Sequence, residues 1–112
     1  MTASSVPNRF WDGEFAAKLV DAIVVVAVDL IRRDGSLVES QDFWGQIVKA
    51  DETYGFVVEL AGLRAGEEYT LPPDTTAFKK ISRGRYTVQS TGEVVIDPDY
   101  ACGWTLLAPN DG

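Results

Sequence analysis

The chain contains no histidine and a single cysteine, Cys102. Without an imidazole there is no Ser–His or Cys–His nucleophile pair and no histidine ligand for a metal. One thiol cannot form an internal disulfide, and zinc needs several Cys or His ligands, so no metal or other cofactor is expected. The lone cysteine fits a reducing compartment. Beside Ala101 and Gly103, Cys102 is read as a small buried hydrophobe and not as a reactive thiol. Long hydrophobic runs are also missing. The longest is Ala22–Val28, far short of the roughly 20 residues a membrane-spanning helix requires. Met1–Asn8 shows no basic leader ahead of an apolar stretch, so no secretory signal is expected and a cytoplasmic location is the default. Bases are scarce: 10 Lys and Arg stand against 17 Asp and Glu, for a formal charge of −7. That balance favours solubility and disfavours nucleic acid and anionic membranes as partners.

What is present is the composition of a globular domain, 46% apolar and 24% charged over 112 residues. A chain of about this size forms one domain with a sizeable core. No repeat or low-complexity segment divides it. Residues 8–108 are expected to form one unit, with 1–7 and 109–112 as flexible tails.

The pattern inside that unit is mostly period two. Asp12 can cap a short helix over Gly13–Val20, which sets Phe15 and Leu19 on one face. The β-branched stretch after Ala22 reads as a strand whose Val24, Val26, Val28 and Leu30 share an apolar face. Asp34-Gly35 closes a hairpin. The next apolar segment is Phe43–Ala50, after the polar Glu39–Asp42, and Gly45 within it marks a bend or a close backbone approach. Phe56, Val58 and Leu60 alternate as a half-buried strand. Glu67–Leu71 follows, ended by Pro72-Pro73, and Asp74–Lys80 makes one helical turn with Phe78 inward. Gly84–Gln89, Glu93–Asp97 and Ala101–Leu107 complete the short strands. The expected fold is mainly β: a small bent antiparallel β-barrel of five to seven strands, with one short N-terminal helix.

Two resemblances accompany this reading. The order of strand, Asp34-Gly35, strand with Gly45, Asp51, Gly55 and strand resembles the first half of an Sm-like barrel, and Arg83-Gly84 before a β-run resembles the second. The Sm family implies a Src-homology-3-like curl and RNA binding. The chain departs from it in a longer Gly35–Gly45 segment and in Tyr54-Gly55 where the family places its base-contacting asparagine. More closely, Phe43-Trp44-Gly45-Gln46-Ile47, Leu71-Pro72-Pro73-Asp74, Ala77-Phe78, Gly84-Arg85-Tyr86, Ser90-Thr91-Gly92-Glu93, Pro98-Asp99-Tyr100 and Trp104-Thr105 resemble a group of short bacterial proteins. That resemblance covers residues 10–107 and implies no activity.

Chemistry is left to carboxylates, cations and aromatics. Two suitably spaced carboxylates can act as acid and base, or hold a hard cation. The candidates are Asp74, Glu93, Asp97 and Asp99, and Asp97-Pro98-Asp99 is also ordinary turn chemistry. No catalytic residue is assigned. Lys79, Lys80, Arg83 and Arg85 form a basic patch, with no acid between Thr75 and Gly92. It is either an anion-binding loop or one paired with the chain's own Asp97 or Asp99. Trp44 follows Phe43, so one of the two faces away from the core. With Tyr54 and Tyr100 it is a candidate for contact with a partner. The leading functional expectation is a non-enzymatic protein-interaction or small regulatory module, binding a protein partner or its own copy as a homodimer. The alternatives are an Sm-like nucleic-acid binder using the basic loop, and a carboxylate enzyme or cation site around Asp97 and Asp99.

Overall fold

The computed structural model describes residues 9–108; the expected tails, 1–7 and 109–112, lie outside the described residues. The element order is α1 (Gly13–Leu19), β1 (Ile23–Ile31), β2 (Leu37–Asp51), β3 (Gly55–Leu60), β4 (Glu68–Leu71), β5 (Phe78–Lys80), β6 (Arg85–Thr87), β7 (Val94–Ile96) and β8 (Tyr100–Leu107). Two short 3-10 turns, Gly62–Arg64 and Thr75–Ala77, precede β4 and β5. Asp12 caps α1 by accepting the amides of Glu14 and Phe15, as the sequence predicts.

Six strands form one sheet in the order β4-β3-β2-β1-β8-β5, and β6 and β7 form a separate hairpin. The sheet is mixed, which corrects the expectation of an all-antiparallel barrel: β1 and β8 run parallel over Val24–Ile31 and Tyr100–Leu107. Parallel neighbours need a long crossover. Here everything from β2 to β7 serves as one, so nothing local in the sequence announces the pairing. The count is also higher than five to seven, with eight strands among the described residues.

Residue parity then sorts the sheet into two faces. On the inner face lie Val24, Val26 and Val28 of β1, Phe43 and Ile47 of β2, Phe56, Val58 and Leu60 of β3, and Leu71, Phe78 and Cys102, all buried. A slip in register at Val48 keeps Ala50 beside Phe56 and on that same face. Phe56 of β3 and Phe78 of β5 stand four places apart in the sheet, which in a flat sheet is about 19 Å. Their ring centroids are 4.8 Å apart, so the sheet is curled strongly around its inner face. Gly45 lets the curl tighten: a Cβ there would sit 2.2 Å from the carbonyl oxygen of Glu59. The sheet stays open, because β4 and β5 pair with β3 and β8 and not with each other.

The two ends of the curl differ. Helix α1 closes the end where β1 begins, burying Ala16 and Leu19. Trp11 stacks on Phe56 at 5.1 Å, and Phe15 meets Tyr100 edge-on. Thr75, buried, ties that end together by donating to the Phe10 carbonyl and accepting the Asp12 amide. At the opposite end β1, β2 and β8 run on as a three-stranded tongue. The polar Glu39–Asp42 stretch is part of this continuous β2 strand and not a loop, because β1 pairs with it residue by residue.

Candidate functional site

The outer face of the sheet is partly covered by the β6–β7 hairpin, which buries Val88 and Val95 beneath it. The hairpin is held by carboxylates. Asp42 of β2 accepts the amides of Gln89 and Ser90. Glu93 accepts the Leu63 amide at 2.9 Å and, more distantly, the Trp44 indole N–H at 3.5 Å. Asp97 accepts the Gly84 amide at 2.8 Å, and Asp99 that of Ile23 at 2.9 Å. Partial burial pushes the Asp42 carboxyl up, but hydrogen bonds from the side chain and amide of Ser90 and the amide of Gln89 outweigh it and hold it below the usual range. Glu93 is lowered mainly by the Leu63 amide, against a desolvation cost, with help from Thr91 and Trp44.

These contacts place the carboxylates named from sequence. Asp97 and Asp99 lie beside a cleft of about 300 Å³ that Lys80, Ile81, Arg83 and Pro98 also line. Each is committed to a backbone amide, and Asp97 is also 3.5 Å from the Arg83 guanidinium. Asp74 caps the Thr75–Ala77 turn through the Thr76 amide. Among the described residues no cluster of three or more potential ligands is grouped to hold a metal.

The basic patch is divided by the same geometry. Lys79 pairs with Ala101 and Lys80 with Tyr100 across β5 and β8, so their side chains leave opposite faces. The Lys80 ammonium sits 6.0 Å from the centre of the Tyr100 ring. Arg83 leans on Asp97 while remaining almost wholly exposed, and Arg85 is exposed on β6.

The three aromatics are not brought together either. Trp44 is half-buried on the outer face, next to Gly62 and under the hairpin. Tyr100 belongs to the inner face, between Phe15 and Lys80. Tyr54 is 76% exposed on the β2–β3 turn, which Asp51 pins by accepting the amides of Thr53 and Tyr54. Cys102 is buried as expected, and burial pushes its thiol up to about 12.

The surface that sequence reasoning missed is the tongue. In register across β2, β1 and β8 stand Leu37, Ile31 and Leu107; Leu37 is 57% and Leu107 65% exposed, and Val38 at the neighbouring bulge is 42% exposed. Leu30 and Leu106 form a second, half-buried row on the inner face. Furthermore, β5 covers only Tyr100–Cys102 of the outer edge of β8. Beyond Cys102 that edge runs unpaired to Leu107 among the described residues, and Gly103–Leu107 carries no charge and no proline. Proteins ordinarily guard such an edge with charge, proline or a bulge. The only sequence signal was the pair of aliphatic doublets Leu37-Val38 and Leu106-Leu107, which by themselves read as ordinary strand core.

Comparison with known proteins adds no relative: no family model matches the chain, and no curated protein or solved structure is significantly similar to it.

Proposed function

We propose that this protein is a non-enzymatic interaction module that binds a protein through the aliphatic end of its curled sheet. One observation carries this reading: Leu37, Ile31 and Leu107 lie side by side next to a strand edge that, among the described residues, is uncharged and unpaired beyond Cys102. A contiguous apolar patch of this kind is comparable to the largest patch on a typical monomer, which is often a contact site. An open edge offers main-chain hydrogen bonds in addition. The hydrogen bonds that Asp97 and Asp99 accept from backbone amides support a structural part for both in fixing local backbone. The curl supports reading the architecture as a small barrel left open between β4 and β5. Trp44, Tyr54 and Tyr100 are secondary contacts in this reading, because they lie on different faces.

Site-specific photo-crosslinking tests the proposal. A benzophenone side chain at position 107 of the full chain, expressed in its native cells, is expected to yield a discrete protein adduct. The same group at Val94, exposed on the hairpin, serves as the control and is expected to yield none. No adduct from position 107 above that control overturns the proposal.

A further inference from the structure

We propose that the cleft between the β6–β7 hairpin and the outer face of the sheet binds a small organic ammonium, one ring carrying a short cationic arm. This site is separate from the aliphatic tongue and stands or falls without it.

The cleft exists because the hairpin is unevenly supported from below. On the β2 side Trp44 lies under it, next to Gly62. On the β1 and β8 side the outer-face residues are short: Ala27 stands beside Gly103, and Ala101 beside Val25. Between this floor and the buried Val88 of the hairpin lies a cleft of about 200 Å³, walled by Val25, Ala27, Ala101, Thr87, Val88 and Asp42. Close-packed interiors leave few voids larger than a water molecule. An apolar cavity of about 150 Å³ accepts benzene, whereas pockets for drug-sized ligands begin at about 300 Å³. The space under the hairpin therefore suits one ring and a short substituent.

Asp42 selects the charge of that substituent. It is the half-buried acid on the wall, and no Lys or Arg lines the cleft among the described residues. The nearby Arg64, which lines the neighbouring cleft with Asp42, is paired with Glu67 at 2.9 Å. The Asp42 carboxyl is held below the usual range and so is ionised at neutral pH. One of its oxygens takes the Gln89 amide and the other the Ser90 amide. A carboxylate has about four acceptor positions, so each oxygen keeps room for a further donor. Seating a neutral apolar ligand beside it strips water from a charged group and returns nothing. An anion is repelled by Asp42 and by a chain of charge −7. An ammonium replaces the lost water with a charge-assisted hydrogen bond while its ring covers the alanine floor.

Because Asp42 also fastens the hairpin, an occupant joins floor and flap. A ligand that binds only while the hairpin is docked holds it closed by mass action. At ten times its dissociation constant, amide exchange at Gln89 and Ser90 slows about tenfold.

Benzylamine, protonated at neutral pH, is the probe. Benzyl alcohol supplies the ring without the charge, and methylamine the charge without the ring. Titrations of the full chain are followed by nitrogen–proton amide spectra. Benzylamine is expected to shift the amides of Val25, Ala27, Val88 and Ala101 saturably, with a dissociation constant below about 1 mM. Benzyl alcohol is expected to bind at least tenfold more weakly, and methylamine to leave those amides unshifted. Ala101→Leu and, at an exposed position, Ala27→Leu each fill the space. Each is expected to weaken benzylamine at least tenfold, with the Gln89 and Ser90 amides still protected from exchange. No saturable shift at the cleft overturns the proposal. So does a response to benzyl alcohol or methylamine equal to that of benzylamine, or full binding by Ala27→Leu.

Discussion

Gly45 is where a single residue most directly controls the fold. Any side chain there meets the backbone of Glu59 and Leu60, not a flexible side chain that could move aside. Gly45→Ala is expected to cost about 3 kcal/mol, lowering the thermal midpoint by about 15 °C for a domain of this size. Gly35→Ala is the informative comparison: φ is +90° there but nothing lies near, so only the backbone term of about 1 kcal/mol applies. Equal losses for the two variants, measured by urea unfolding, would show that close approach at Gly45 does not tighten the curl. The glycine was conspicuous in the sequence as an interruption of an apolar strand. Its neighbour across the sheet was not.

At the scale of elements, the β6–β7 hairpin behaves as a flap fastened by carboxylates. Asp42 and Glu93 both have folded-state pKa values below their ordinary ones, 3.8 and 4.5. A lowered folded pKa means that the charged form is held more tightly when folded. The stabilisation is thus complete above the ordinary values and lost as pH falls through the folded ones. Amide exchange at Gln89, Ser90 and Leu63 is therefore expected to accelerate selectively below about pH 4, relative to its intrinsic rate, with the amides of β1 still protected. Asp42→Ala is expected to produce the same loosening at neutral pH, about tenfold in protection at Gln89 and Ser90, since two amides lose a charged acceptor. Uniform loss of protection across β1 and the hairpin would mean that the hairpin is no separate unit. The hairpin strands themselves were legible from Thr91-Gly92 and the flanking valines. Their docking on the outer face was not, because it runs through Asp42, which in the sequence is only part of a polar stretch, and Glu93, which reads as a candidate acid or base.

For the molecule as a whole, the net charge is −7 and the bases of the expected basic patch are dispersed. Lys79 and Lys80 leave opposite faces, and Arg83 already leans on Asp97. Among the described residues, the Lys79–Arg85 segment therefore presents no continuous track of cations for a phosphate backbone to follow. Single-stranded RNA at low salt is expected to leave the mobility of the protein unchanged. Binding that weakens with salt, and is lost in Lys80→Glu with Arg83→Glu, would reinstate the Sm-like alternative. Of the described residues, no helix is long and apolar enough to cross a membrane.

Sequence alone determined the local elements: the Asp12-capped helix, the alternating strands, their inner valines and phenylalanines, and the burial of Cys102. Those follow from periodicity and turn chemistry, which act over a few residues. Only tertiary structure decided that β8 lies parallel to β1, which acids fasten the hairpin, and which strand edge stays bare. Each of these depends on residues about 30 to 80 positions apart in the chain, and no local pattern encodes which distant segment a strand edge will meet.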